Sequence, residues 1–209
     1  MARNKFGLSD GEFAFFRSLN SPEKIQDYID ENLKYNFCGG DYPKPYICKS
    51  PRRVLEEGTA HCFEGALFAA AALRINHRKP LVLGLDGLKN DDHVLALFKR
   101  KGYIGVVAQS QHYIHNWRDP IFRNTRELAL TFFPGYTLGG IITIRTYSDI
   151  VNLSQFDSMN WISTDNSLEE LGNIIDTFPT HSLVPKNLKL RKVPVELEEL
   201  TKKHKPLTP

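Results

Sequence analysis

The sequence predicts an α+β fold in which a central helix packs on an antiparallel sheet. The first indication is an alanine-rich segment, residues 60–74, that is apolar nearly all round, as is typical of a buried helix. The second is the series of strand-like runs that follows it, at residues 81–85, 93–98 and 103–107. Short polar or charged turns separate these runs, and a helix followed by hairpin-linked strands indicates α+β order.

Size and composition predict one compact domain. A chain of 209 residues with 41% hydrophobic and 24% charged residues is long enough to bury a core and has ordinary globular composition. We expect the domain to span residues 1–185. Residues 186–209 alternate basic and apolar side chains and end in a proline-bearing basic stretch, which predicts a solvated C-terminal tail.

Charge and cysteine usage limit the expected partners and compartment. A net charge of +3 provides no field that would favour nucleic acid or an anionic membrane, and we expect neither as a partner. The start of the sequence lacks a secretory signal, and the longest apolar run is about half of what a membrane-spanning helix needs. Three cysteines are too few for a disulfide framework, so we expect free thiols, a cytoplasmic location and no cofactor.

Local signals place further elements around this centre. Ser-Pro pairs predict helix starts at Ser21 and Ser50, and Gly58 predicts the end of the second helix. Residues 36–49, which contain glycines, prolines and three aromatic residues, predict a long loop. Residues 125–133 and 167–178 predict helices, and residues 139–146 predict a strand.

Cys62 lies in the first turn of the predicted central helix, where Thr59 could serve as the N-cap. Unpaired amides and the helix dipole stabilise an anion there, which lowers the thiol pKa and favours the nucleophilic thiolate. The same amides could stabilise an oxyanion. The alternative is a small apolar side chain on a buried helix, because free cysteine is often buried.

His93 begins a predicted strand and could act as the base that a cysteine nucleophile requires. The imidazole would accept the thiol proton and return it to the leaving group. The alternative is a surface histidine beside Asp91 and Asp92.

The stretch Gly58-Thr-Ala-His-Cys62-Phe-Glu-Gly-Ala66, followed by Asp92-His93-Val-Leu-Ala-Leu-Phe and a hairpin return, resembles the core of the transglutaminase-like superfamily, whose fold is papain-like. The resemblance covers residues 50–110. It implies a catalytic cysteine at the start of the helix, a histidine on the next long strand and acyl transfer through a thioester. The implied substrate is a peptide or protein amide, and the outcome is transfer or amide hydrolysis.

The third catalytic residue departs from this pattern, which expects an acid on the strand after the histidine. If Phe98 paired with Tyr103, Ala108 would lie opposite His93, with Ser110 diagonally on the same face. Alanine cannot orient an imidazole, so Gln109, by way of a bulge, or Ser110 would serve instead.

The sequence alone leaves two other functions open. One is a catalytically degenerate module of the same fold that binds a peptide or protein partner. The other is an acyltransferase resembling arylamine N-acetyltransferases, although we find no coenzyme A site. Zinc is disfavoured because the residues that could bind it lack a close Cys-x-x-Cys pair. The possible zinc ligands are Cys38, Cys48, His61 and Cys62.

A further segment contains His112, His115 and Trp117 and is followed by arginines. It either borders the cleft or is a surface segment that leads into a helix.

Overall fold

The computed structural model describes residues 5–36 and 47–201. Its helices and strands follow one another as α1 (Asp10–Ser18), α2 (Pro22–Asn32), β1 (Lys34–Tyr35), α3 (Pro51–Glu57), β2 (Thr59–Ala60), α4 (Cys62–Ile75), β3 (Leu81–Gly87), β4 (His93–Arg100), β5 (Tyr103–Val107), β6 (Arg118–Phe122), α5 (Thr125–Leu130), β7 (Thr137–Leu138), β8 (Ile141–Ile142), β9 (Ile144–Ser148), β10 (Val151–Asn152), α6 (Glu169–Asp176), β11 (Thr180–Ser182) and α7 (Val195–Thr201). Short 3-10 helices lie at Leu88–Asn90, Tyr113–His115, Phe133–Gly135 and Leu153–Met159.

The main sheet is antiparallel, and helices pack on it, so the predicted α+β class is confirmed. Its strand order is β11-β9-β3-β4-β5-β6, and β10 adds a short pairing to β3. Two small pairs complete the strands, a parallel one between β1 and β2 and the hairpin of β7 and β8. Because β9 inserts beside β3, residues 60 positions apart meet in the centre of the sheet, as in the pair Asp86 and Thr146.

The sheet separates two hydrophobic cores, because successive side chains of a strand point to opposite faces. The helix-side core lies between α4 and the sheet, and the far-side core lies on the opposite face. On β4, Ala96 and Phe98 face the helix-side core, whereas Leu95 and Leu97 face the far-side core. The far-side core also contains Leu83, Leu85, Ile104, Val106, Ala108, Leu128, Phe132, Tyr136, Ile144 and Tyr147.

The predicted helices and strands around α4 are confirmed with small shifts of their ends. Ser21 and Ser50 cap α2 and α3, each with proline at the first helical position. Gly58 ends α3 with φ 64°, a left-handed conformation that glycine adopts without steric cost. The predicted strand at 139–146 is instead split between β8 and β9.

The β4–β5 hairpin is longer than we predicted, and its register differs. Phe98 pairs with Gly105 rather than with Tyr103, and the ladder continues to Arg100 opposite Tyr103. The turn therefore has two residues, Lys101 and Gly102, both with positive φ as a tight hairpin turn requires. The sequence interpretation assigned four residues to this turn, so the predicted position of Ala108 opposite His93 is wrong.

Other parts of the chain bear on the remaining predictions. In the segment expected to be a solvated tail, Glu198 of α7 accepts hydrogen bonds from the amides of Gly139 (3.1 Å) and Gly140 (2.6 Å). The boundary at residue 185 stays a prediction. Most of the predicted loop at 36–49, with Cys38, lies outside the described residues. Among the helices described here, none has the length and apolarity needed to cross a membrane.

Candidate functional site

Cys62 is the first residue of α4, and its local structure is set by the residues on either side. The N-cap is His61, whose Nδ1 accepts a hydrogen bond from the Phe63 amide at 3.1 Å. The predicted cap, Thr59, lies outside the helix in β2, and its hydroxyl instead accepts from Lys49 Nζ at 2.5 Å. Because the Phe63 amide is engaged by the cap, it cannot also bind an oxyanion without displacing His61.

Glu64 fixes the first turn of α4 from inside the protein. Its side chain is 0% exposed, with Oε2 accepting from the His61 amide at 3.0 Å and Oε1 accepting from the Lys49 amide at 2.8 Å. Lys49 Nζ lies 3.9 Å from Glu64 Oε2 and 3.3 Å from Glu57 Oε2. This network ties the chain before α3 to the start of the helix that carries Cys62.

His61 is held in its neutral form next to the thiol. Burial and, secondarily, the positive charge of Lys49 lower the pKa of His61 to about 4. A neutral imidazole can keep Nδ1 as an acceptor for the Phe63 amide, whereas an imidazolium cannot. His61 can therefore cap α4 at neutral and mildly acidic pH.

His93 is the first residue of β4, and its side chain is on the far-side core. It is 3% exposed, and its ring centroid lies 6.3 Å from those of Phe132 and Tyr136. Its Nε2 lies 3.2 Å from the main-chain oxygen of His115. A carbonyl only accepts, so Nε2 carries the proton and Nδ1 is the basic nitrogen of the neutral ring.

Burial controls the charge of His93. Desolvation, partly offset by the hydrogen bond to His115 and reinforced by the positive charge of Arg118, lowers the pKa of His93 to about 4. At neutral pH the imidazole is therefore unprotonated. This is the state that a general base needs before it accepts a proton.

Tyr136 lies near His93, and the charge of Cys62 influences its protonation. Its ring, 3% exposed, stacks on that of His115 with 4.3 Å between centroids. Burial first, and then the charge of a Cys62 thiolate, raise the pKa of Tyr136 well above its usual range. The phenol thus stays protonated at neutral pH. Sequence reasoning missed Tyr136, which is more than 40 residues from His93 and belongs to no recognisable motif.

The first turn of α4 and the start of β4 lie at the same end of the β4–β5 hairpin. Gly65 of α4 abuts Gln109, two residues beyond the end of β5. Since β4 and β5 are antiparallel, the end of β5 lies beside the start of β4, where His93 is located. This arrangement brings the candidate nucleophile and the candidate base to one edge of the sheet, with Tyr136 close to His93.

The two candidates for the third residue make other hydrogen bonds. Gln109, 1% exposed, contacts the helix side, and its Nε2 donates to the Leu33 carbonyl at 3.1 Å. The Ser110 hydroxyl accepts from the His112 amide at 3.0 Å. Their roles stay predictions, whereas the contact that orients His93 in this structure comes from a main-chain carbonyl.

A cavity of about 360 Å³ borders His93 on the side of β3 and α6. Three carboxyl groups line it, from Asp86, Asp92 and Asp176, together with the ring of Phe178. Burial and mutual repulsion raise the pKa values of Asp92 and Asp176. The space next to the candidate base is therefore acidic as well as partly apolar.

Cys48, His61 and Glu64 offer a sulfur, a nitrogen and an oxygen that all lie within 4.8 Å of one another. The site does not suit a metal ion, because both Glu64 oxygens already accept main-chain amides and the Lys49 ammonium lies beside them. A cation would be repelled by that ammonium and would compete with the helix cap. We read the cluster as part of the network that holds α4.

Comparison with known proteins leaves the family open. No protein-family description matches the sequence, and no curated protein is similar to it at a significant level. The function of the protein is therefore inferred from the geometry of the site.

Proposed function

We propose that this protein is a thiol-dependent enzyme of transglutaminase-like type that transfers an acyl group from, or hydrolyses, a peptide or protein amide. Cys62 is the nucleophile and His93 the general base. The observation that carries the proposal is the hydrogen bond from His93 Nε2 to the His115 carbonyl at 3.2 Å. It leaves Nδ1 as the proton acceptor, at the same sheet edge as the start of α4.

The helix supports the nucleophilic role of Cys62. α4 has 14 residues, and its N-terminal dipole favours negative charge at its first residue. Cys62 is half-buried, whereas the alanines that follow it in α4 are fully buried. The proposal therefore expects the Cys62 thiol to be more acidic than a free cysteine, whose pKa is about 8.5.

The proposed reaction has two steps. In the first, His93 Nδ1 accepts the thiol proton, the Cys62 sulfur bonds to the amide carbonyl carbon, and the C–N bond breaks as the leaving amine takes that proton. In the second, water or an amine attacks the thioester carbonyl carbon while His93 accepts its proton. The C–S bond then breaks, the acid or the new amide leaves, and the Cys62 thiolate takes the proton back from His93. The phenol of Tyr136, whose ring centroid lies 6.3 Å from that of His93, stays protonated throughout.

The first test is thiol reactivity. We would measure iodoacetamide labelling of Cys62 against pH by peptide mass spectrometry, with Cys48 in the same protein as an internal buried control. The proposal expects labelling of Cys62 to follow an apparent pKa clearly below 8.5, and it expects His93→Ala to change that profile. Labelling with the profile of an unperturbed thiol, unaffected by His93→Ala, contradicts the proposal.

The second test is acylation. Peptide, glutamine-amide and acyl-coenzyme A donors would be incubated with the protein, and the mass of the Cys62 peptide would be followed. A covalent adduct with one donor class, absent in Cys62→Ser, supports acyl transfer and names the donor. The acyl-coenzyme A arm separates the acyltransferase alternative from amide chemistry.

A binding module of the same fold is the second candidate, and the enclosure of His93 favours it. The imidazole is 3% exposed and faces the far-side core, whereas the bulk of α4 lies on the other face. No carboxylate orients it in the described part of the chain. If no donor acylates Cys62 while a peptide or protein partner binds Cys62→Ala as tightly as wild type, the binding function replaces the enzyme.

A further inference from the structure

The carbonyl that orients His93 belongs to a short irregular segment between β5 and β6. His115 ends the 3-10 helix Tyr113–His115, and its carbonyl points back to β4. A main-chain carbonyl in an irregular connection is held in place only by the contacts that the connection makes with the rest of the protein. Arg118, at the start of β6, makes several of those contacts.

Arg118 holds the segment by its whole guanidinium group. Nη2 donates to the Ile114 carbonyl and Nη1 to the Trp117 carbonyl, each at 2.8 Å, and Nε donates to Thr131 Oγ1 at 3.0 Å. The guanidinium carbon lies 4.1 Å from the centre of the Phe132 ring, which also packs near His93. The Ile114 carbonyl directly precedes His115 and the Trp117 carbonyl follows it by two residues, so the arginine holds the segment on both sides of His115.

We propose that Arg118 is a positioning residue for His93, acting through the His115 carbonyl in place of the third catalytic side chain. This inference rests on the proposed function in that it concerns the same base. A planar guanidinium can donate to separated carbonyls at once and stack on a ring. A lysine at this position would keep the positive charge but not that geometry, so Arg118→Lys separates positioning from charge.

The experiment observes His93 directly. Long-range ¹H–¹⁵N correlation spectra of imidazole groups distinguish the two neutral tautomers, and His93→Gln assigns the signals. We expect wild-type His93 to be the Nε2–H tautomer. In Arg118→Lys we expect a mixture of tautomers and a fall of about tenfold or more in the rate of Cys62 labelling at neutral pH, because small displacements of a catalytic group cost large factors in rate.

Arg145→Lys is the matched control. Arg145 Nη1 donates to three main-chain carbonyls, of Ile142, Thr143 and Ile144, but contacts neither His93 nor the segment at 113–117. We expect its variant to keep the wild-type His93 spectrum and labelling rate. If Arg118→Lys does not fold, Thr131→Val removes the single bond to Nε and should shift the tautomer ratio in the same direction.

The outcomes are distinct from those of the proposed function. An unchanged tautomer and labelling profile in folded Arg118→Lys overturns the positioning role, whatever Cys62 does. An ordinary Cys62 profile in wild type, together with a tautomer that still depends on Arg118, overturns the enzyme and retains the positioning of His93. Equal effects of the Arg118 and Arg145 variants would reduce Arg118 to a general structural role and so also overturn the inference.

Discussion

Gly65 in the first turn of α4 lies directly against Gln109, so that a Cβ atom at position 65 would come within 2.3 Å of the Gln109 Cβ. That distance is far below van der Waals contact, and the nearest atom is close to the backbone rather than at the end of a flexible side chain. The helix that carries Cys62 can approach the end of β5 this closely only with glycine at this position.

Gly65→Ala should therefore destabilise the protein by about 1–3 kcal/mol through overpacking, although alanine is the better helix former. Gly172 is the matched control, since it is also the fourth residue of its helix and its nearest neighbour is the Phe63 ring at 3.5 Å. Gly172→Ala should be neutral or stabilising by up to about 1 kcal/mol. Urea unfolding monitored by circular dichroism measures both, and equal effects would contradict the close contact.

Ala108→Asp tests the observed hairpin register. Under the register predicted from sequence, an aspartate at 108 would face His93 and supply a missing acid. In the structure Ala108 is fully buried in the far-side core, and its amide and carbonyl bond the Gln26 side chain. We expect the variant to lose several kcal/mol of stability, of the order of 3–5, and to gain no Cys62 reactivity.

Gln111→Asp serves as the control for this substitution, because position 111 is only half-buried. It should unfold close to the wild-type urea midpoint. A well-folded Ala108→Asp protein with faster Cys62 labelling would instead restore the sequence-based register.

Local sequence signals predicted the centre of the fold. The Ser-Pro starts of α2 and α3, the stop at Gly58 and the apolar character of α4 are all encoded within a few residues. The first and last residues of β5 were also predicted correctly from nearby residues. The helix α1 was missed even though Ser9 and Glu12 form a capping box, because its apolar residues do not show clear helical spacing.

Non-local features could not be predicted in this way. The insertion of β9 beside β3 depends on packing between segments 60 residues apart. The hairpin register depended on whether Lys101 adopts positive φ, which its side chain does not reveal. A carbonyl that orients His93 leaves no trace in residue types, because every residue has one. For the same reason, residue types alone could not show which group orients His93.

Three buried histidines predict a loss of stability in mild acid. The pKa values of His61 and His93 are lowered to about 4 and that of His115 to about 3, mainly by burial. Between pH 6.5 and these values the unfolded chain binds protons that the folded chain does not, so stability falls as the pH is lowered. Each histidine contributes at most about 1.4 kcal/mol per pH unit in this window, which gives about 2 kcal/mol each at pH 5.

Urea midpoints at pH 7.5, 6, 5 and 4.5 measure this dependence. His115→Phe keeps a ring to stack on Tyr136 and removes one titrating group, so its stability should fall less steeply between pH 6.5 and 4.5. His77→Asn, at an exposed position with φ 63° that asparagine tolerates, should leave the slope unchanged. A wild-type midpoint that does not move between pH 7.5 and 5 would show that these histidines become protonated in the folded protein.

Lys49→Met tests the buried charges that hold the first turn of α4. The Lys49 side chain is 4% exposed, and its removal takes away an ammonium group that lies 3.9 Å from the buried Glu64 carboxylate. We expect a loss of about 3 kcal/mol or more, because removing one partner of a buried ion pair is strongly destabilising. Arg100→Met breaks the exposed pair between Arg100 and Glu23 and should cost less than about 1 kcal/mol.

Adding Glu64→Gln to Lys49→Met removes the buried carboxylate charge while keeping an oxygen that can accept a hydrogen bond from a main-chain amide. The double variant should therefore be more stable than the sum of the two single changes predicts, by about 1–3 kcal/mol in a double-mutant cycle from urea unfolding. The pKa of His61, which Lys49 lowers, should also rise in Lys49→Met and can be followed by NMR titration. Strict additivity together with an unchanged His61 titration would mean that Lys49 acts by packing alone, and that the charge network does not hold the helix start beneath Cys62.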